Sequence, residues 1–316
     1  MTVPPPARGA RRDWSELPRH IVSALEAALD GEIVAAETQP GGFSPGVAAR
    51  VVLRGGRRAF VKAVSPKPNA ASPDFHRREA RIVGAMPVAA PAPRLLWTLD
   101  EGTEGWVVLA LEDVDGREPT LPWQPYELER VLAAVEQLHT ALTPSPVDAG
   151  SAGAVLVEQV NSWHLLAADA PSGLDEWSRR HLDELVALER AVADAVTGET
   201  LLHFDLRADN ILLARDRVYF VDWPHATVGA TWLDAVAFAP SVAMQGGPEP
   251  EALLRKWPSA DGADPLAVTA AVASVAGFFT YRSLLPPPPG LPTLRSFQAA
   301  QGDFARRWLA QRTGLG

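Results

Sequence analysis

Between positions 13 and 30 the apolar residues Leu17, Ile21, Leu25 and Leu29 recur every four positions, and Gly31 follows. That spacing predicts one amphipathic helix closed by glycine. The period then changes to two. Segments 33–38, 47–53 and 59–64 alternate as strands do, separated by PGGFSPG and by RGGR. Paired glycines supply the positive φ of a tight hairpin, so RGGR predicts one. A helix is expected over about 74–86, behind Pro73, and two further strands over 95–99 and 106–111 around DEGTEG. The first third thus predicts a small antiparallel sheet with an inserted helix.

After EDVDGREP the pattern turns helical. Leu128, Val131, Leu132, Val135 and Leu138 predict a helix over 126–142. Trp177, Leu182, Leu185, Leu188, Val192 and Val196 predict one continuous helix over 174–196. One compact β segment follows, TLLHFDLRADNILLARDRVYFVDW, and helices are expected from there to the end. PPPPG at 286–290 reads as a stiff linker, and no repeat is apparent. The uncharged run at 265–281 falls short of the ~20 residues a spanning helix needs. It reads as a helix buried in the core. The fold class expected is α+β and bilobal, with a β-rich N-lobe over 1–111 and a larger helical C-lobe over 112–316.

Composition narrows the functions open to such a chain. It has 316 residues, 47% of them hydrophobic, a formal net charge of −9 and no cysteine. That is enough apolar residue for a sizeable core. Disulfides and thiolate metal sites are excluded, and the acidic balance argues against a nucleic-acid partner. The leading MTVPPPARGARR is basic with no apolar run behind it, so no secretory leader and a cytoplasmic location without a membrane partner are expected. Basic charge is carried almost wholly by arginine. The lysines are Lys62, Lys67 and Lys256, and the asparagines Asn69, Asn161 and Asn210. A residue so scarce draws attention wherever it stands beside other reactive groups.

One such place is HFDLRADN, residues 203–210, followed by FVDW with Asp222. Asn210 precedes the apolar ILLA, and VYFV precedes Asp222, so two carboxylates and an amide fall at the ends of adjacent hairpin strands. Phosphoryl transfer calls for such a set. One Asp accepts the nucleophile's proton, an Asn and a second Asp hold Mg²⁺, and a cation offsets the developing charge. Asp205, Asn210, Asp222 and Arg207 match those roles in that order. Asp and Asn also cap turns without further purpose. The spacing together with the lobe order favours the chemical reading.

The pattern H-x-D-x-x-x-x-N, a strand pair and then Asp resembles the catalytic segment of the protein-kinase-like fold. It is most similar to the aminoglycoside phosphotransferase family, the phosphotransferase-enzyme group that also holds choline and homoserine kinases. Those enzymes typically carry HGDLHPGN and then two apolar residues, Asp and Trp; FVDW matches, as does the spacing of Gly229 and Asp234. The resemblance spans nearly the whole chain in lobe order. Two positions depart from it: Phe204 stands where glycine is usual and Arg207 where histidine is usual.

The resemblance implies further roles. Lys62, alone among apolar strand residues in AFVKA, would meet the α- and β-phosphates of ATP, with Glu79 of the following helix holding it. A strand lysine is otherwise costly unless exposed or paired. In PGGFSPG, Gly41, Gly42 and Gly46 would let the backbone approach phosphates, and Ser44 could donate to them. The segment 107–116 would be the hinge, with backbone groups from Ala110 to Glu112 facing adenine. Asp234 is expected to brace the catalytic loop and His139 to make a structural bond. The remaining histidines have no ligand spacing for zinc.

The activity implied is an ATP- and Mg²⁺-dependent transfer of phosphate to a small-molecule hydroxyl. The acceptor expected is an aminoglycoside-type antibiotic, which is cationic, with an amino alcohol or sugar as the alternative metabolite. A non-catalytic nucleotide-binding module is the reading from another class; loss of Lys62, Asp205, Asn210 or Asp222 would mark it, and all are present.

Overall fold

The alternating segments near the N-terminus pair as predicted. In the computed structural model, which describes residues 11–67 and 69–316, the strands β1 (Ile33–Thr38), β2 (Val47–Leu53), β3 (Arg58–Val64), β4 (Leu95–Asp100) and β5 (Val107–Glu112) form one antiparallel sheet in the order β1-β2-β3-β5-β4. The RGGR hairpin joins β2 to β3 with Gly55 and Gly56 both at positive φ. Most of the basic N-terminal segment lies outside the described residues.

The sheet has two unlike faces. Val61 and Ala63 of β3, with Val108 and Ala110 of β5, pack against Ile21 and Leu25 of α1 (Arg19–Ala28). The alternate residues Phe60 and Lys62 turn to the other side, towards α2 (Ser72–Gly84) and the interlobe cleft. The helix expected over 13–30 is shorter than its pattern. Asp13 caps a separate 3₁₀ turn, Trp14–Glu16, and α1 begins only after Pro18. Pro18 has no N–H and a fixed φ, so it suits a helix start and breaks a helix interior.

Beyond β5 a two-residue strand, β6 (Gly116–Arg117), already pairs with the C-terminal half. Helix α3 (Pro125–Ala141) matches its periodicity. Short helical pieces follow: α4 (Ala152–Val155), a π-helical turn Leu156–Val160, and α5 (Trp163–Asp169). The single helix expected over 174–196 is instead α6 (Glu176–Arg180), α7 (Leu182–Arg190) and α8 (Val192–Ala195). At the second break Asn161 Nδ2 donates to the Glu189 carbonyl at 3.0 Å, and the Glu189 carboxylate takes the backbone N–H groups of Ser162, Trp163 and His164. Side-chain periodicity carries no trace of those tertiary bonds.

Strands β7 (Thr200–Leu202), β8 (Ile211–Ala214) and β9 (Val218–Phe220) fill the predicted β segment. An additional strand, β10 (Thr227–Gly229), pairs with β7 where only helices were expected. Three residues are too few to show a period. Helices α9 (Leu233–Met244), α10 (Pro250–Lys256), α11 (Pro265–Leu284) and α12 (Leu294–Thr313) complete the chain. Helix α11 is 20 residues long and, among the described residues, the one helix long and apolar enough to cross a membrane. Its middle is buried nonetheless, packed against α12, α7, α8 and α9. It is the core helix that the sequence suggested. The fold is thus α+β, an antiparallel sheet set against a larger helical region.

Candidate active site

The β8–β9 hairpin creates the site. Ile211 pairs with Phe220, and Val221 N–H donates to the Asn210 carbonyl at 2.9 Å, so Asn210 and Asp222 emerge side by side. Both line a cavity of about 1340 Å³ between the sheet and the helices.

Lys62 meets them from the opposite wall. Its ammonium donates to both Glu79 oxygens at 2.7 and 2.8 Å and to Asp222 Oδ1 at 2.8 Å. Burial alone would depress the Lys62 pKa, but Asp222 and then Glu79 overcome it, and the net shift is upward. Burial likewise opposes the charge on Asp222, and Lys62 more than compensates, so the carboxyl lies well below the usual range. For Glu79, burial prevails over Lys62 and raises the pKa. Lys62 is therefore a charged group tied into both walls of the cleft. Next to them His76 of α2 is held near a pKa of about 3, first by burial and then by Lys62.

The loop before β8 is held from beneath. Buried Asp234 accepts the N–H of His203 at 3.1 Å and of Phe204 at 2.8 Å, and also meets His139 Nε2 at 3.1 Å. Phe204 sits at φ +60°, a left-handed conformation that glycine adopts freely and phenylalanine rarely. His203 donates from Nε2 to the Val221 carbonyl at 2.9 Å, and its Nδ1 accepts the Asp205 N–H at 3.2 Å. An accepting Nδ1 requires a neutral ring, and burial lowers its pKa accordingly.

Asp205, with a side chain a quarter exposed, is fixed by two neighbours. Asn210 Nδ2 donates to its carbonyl at 2.8 Å and to Oδ2 at 3.1 Å. Arg207 Nη1 reaches both carboxylate oxygens at 2.9 and 3.0 Å, while Nε and Nη2 hold Asp209 at 3.0 Å each. Rings of Phe43 and Phe297 flank the same guanidinium, at 5.4 and 5.8 Å from their centroids. Arg207 is thus fully committed to the protein rather than projecting as a free cation.

Of the residues expected from the sequence, Lys62, Glu79, Gly42, Ser44, Glu112, Asn210 and Asp222 line the cavity, with Asp205 and Arg207 bonded beside it. Gly46 does not line it. A Cβ there would fall 2.3 Å from Val64 Cγ1 and 2.5 Å from the Ala63 carbonyl, so glycine is needed for the close approach of β2 and β3. Ala110 also stays out. It lies in the middle of the sheet, paired to both Val61 and Trp97, with its side chain on the α1 face. The cleft edge of that segment is Leu111 to Val114.

Other lining residues were not foreseen. Arg11 enters from the N-terminal side, and Glu118 stands near Gly41. Leu121, Pro122, Met244, Phe297, Phe304 and Arg307 line the same cavity. Phe297, Ala300, Phe304 and Arg307 are spaced three, four and three apart on α12, a one-face signal that could have been read. Among the described residues no group of three or more His, Asp or Glu side chains forms a metal cage.

A model of the phosphotransferase enzyme family matches residues 41–271. Among solved structures, a thermostable mutant of aminoglycoside phosphotransferase APH(4)-Ia, in complex with ADP and hygromycin B, superposes with a TM-score of 0.60 at 15% identity, over 94% of this chain and 99% of that one. An aminoglycoside phosphotransferase from Alicyclobacillus acidocaldarius gives 0.57 at 15%, over 96% and 97%. A choline/ethanolamine kinase family protein from Mesorhizobium loti gives 0.56 at 17%, over 94% and 93%. These identities speak to the fold. No curated protein matches the sequence at a significant level.

Proposed function

The chain belongs to the phosphotransferase enzyme family, and from that premise we propose that it transfers the γ-phosphoryl group of ATP to a hydroxyl of a small molecule, with Mg²⁺. The observation that carries this reading is the convergence of Lys62 and Glu79 from one wall of the cleft with Asp205, Asn210 and Asp222 on the other.

Each side chain then has a definite task. Asp205 is fixed by Asn210 and Arg207, and accepts the acceptor's hydroxyl proton as its oxygen bonds to the γ-phosphorus and the β–γ bridge breaks. Lys62 contacts the phosphates of ATP, and Glu79 keeps it aimed. Gly42 and Ser44 border the triphosphate, and Leu111 to Val114 border the adenine. Arg207 positions Asp205 through two hydrogen bonds rather than meeting the phosphate itself.

The donor set fits magnesium. Asp222 is kept ionised by Lys62, and Asn210 spends its Nδ2 on Asp205, leaving Oδ1 as a hard oxygen ligand. One or two protein oxygens together with phosphate oxygens are what Mg²⁺ takes, and a cage of protein carboxylates is not required. When bound, the ion would neutralise charge on the phosphates.

The acceptor belongs against the lining residues of the C-terminal helices, Met244 of α9 and Phe297 of α12, and Glu118, which lines the same cavity, supplies a carboxyl for an amine. Neighbours of this fold act on or bind an aminoglycoside (hygromycin B) or belong to the choline/ethanolamine kinase family. We favour an amine-bearing alcohol, with aminoglycosides first. Incubation with Mg²⁺ and γ-labelled ATP against a panel of aminoglycosides, amino alcohols and ketoamine sugars tests this. Label transferred to a member of the panel supports the reading. ATP bound tightly with no label on any acceptor would instead mark a nucleotide-binding module.

A further inference from the structure

The nucleotide end of the cavity contains a cation that no motif announced. Arg11 lies on the N-terminal segment, outside the sheet and ahead of α1, yet its side chain lines the cleft. Its Nε donates to the Gly41 carbonyl at 2.8 Å, and Nη2 donates to the same oxygen. Nη2 occupies the space beside Gly42, 2.7 Å from where a Cβ would stand, so the loop and the arginine are built to fit each other. The neighbouring residue secures the segment. Arg12 N–H donates to the Gly46 carbonyl at 3.3 Å, its Nη2 to the Lys67 carbonyl at 2.8 Å, and its guanidinium lies 5.5 Å from the Trp106 ring centroid.

The charge balance shows what Arg11 is for. Lys62 is shared by Glu79 and Asp222, and Arg50 is paired with Asp113. The Lys62 group therefore carries one net negative charge, and Mg²⁺ alone leaves ATP anionic. Among the described residues Arg11 has no carboxylate partner within salt-bridge distance, although its charge is felt at Asp222 and His76. With both bonds to Gly41 made by Nε and Nη2, the N–H groups of Nη1 have no acceptor among the described residues. A guanidinium so placed offers a fork to phosphate oxygens.

We infer that Arg11 is a nucleotide-binding residue, which brings a cation from ahead of α1 onto the phosphates of ATP. This rests on the ATP-dependent reading above. Without that reading, the same fork would meet another polyanion.

Calorimetric titration of the full-length chain separates the possibilities, with Mg-ATP and adenosine as ligands. Arg11→Ala and Arg11→Gln are compared with wild type, and Arg54→Ala, on a surface arginine, serves as control. The expected result is Mg-ATP binding weaker by roughly tenfold or more in both Arg11 variants, with adenosine affinity unchanged, as loss of a charge-assisted hydrogen bond requires. Glutamine can still donate to Gly41 but carries no charge. Full affinity in Arg11→Gln would therefore reduce Arg11 to a loop anchor and overturn the inference. Unchanged or tighter Mg-ATP binding in Arg11→Ala, or an equal loss for adenosine, would overturn it too. A wild-type chain that binds adenosine and not Mg-ATP would refute the ATP reading itself, and with it this one.

Discussion

The carboxylate of Asp234 holds the backbone of Phe204, accepting its N–H at 2.8 Å, in the left-handed conformation that φ +60° represents. A strained residue persists only where its surroundings over-determine it. Here the restraint is a buried carboxylate that also takes the His203 N–H and meets His139. The turn that presents Asp205 is thus fastened from α9, a helix that begins 28 residues further along the chain.

Asp234→Ala would orphan those donors inside the protein. Each buried donor left without its partner costs about 1–3 kcal/mol, against a typical total stability of ~5–15 kcal/mol. Urea denaturation should show a loss of that size. A variant as stable as wild type would mean that the loop is shaped by something other than Asp234.

Acid sensitivity should follow His76. Its ordinary value of 6.5 falls to about 3 in the folded protein. A group depressed in this way stabilises the fold above pH 6.5, and that contribution is lost as the pH falls from 6.5 towards 3. Between pH 7 and 5 the loss from this residue is ~2 kcal/mol. His76→Gln should flatten the stability profile in that window relative to wild type, with other groups cancelling in the comparison. Identical slopes for the two proteins would contradict the assignment.

Lys62→Arg should not rescue function, although arginine carries nearly all other positive charge in the chain. A compact ammonium fits between Glu79 and Asp222 at 2.7–2.8 Å, whereas a guanidinium is longer and planar. Turnover should fall on the order of 10²-fold, as on removing one preorganised charge-stabilising donor. Lys67→Arg and Lys256→Arg, assayed alongside, should behave as wild type. An active Lys62→Arg enzyme would make the lysine incidental.

How much of this was legible depended on whether the cause was local. Lys62 could be read because its strand alternates and lysine is rare, and the Gly229 and Asp234 spacing correctly gave the loop brace. Ala110 could not be placed, since VVLALE is apolar at every position but the last and period two cannot say which side faces the cleft. Gly46 sits in a loop whose glycines all suited a phosphate site; only the packed strands show that it answers to Val64. Arg207 was expected as the cation that offsets the developing charge, yet Asp205 and Asp209, two residues to either side, engage its whole fork. Arg11 is far from the site in sequence, and only the fold brings it to Gly41.

The central claim is that Asp205 is the base of a phosphoryl transfer and takes no part in holding nucleotide. Asp205→Asn tests it, with transfer rate and Mg-ATP affinity measured on the same preparation. The account predicts a fall in transfer of ~10²–10⁴-fold, the usual cost of losing a general base, at unchanged Mg-ATP affinity. Transfer near the wild-type rate would show that Asp205 is structural and contradict the mechanism.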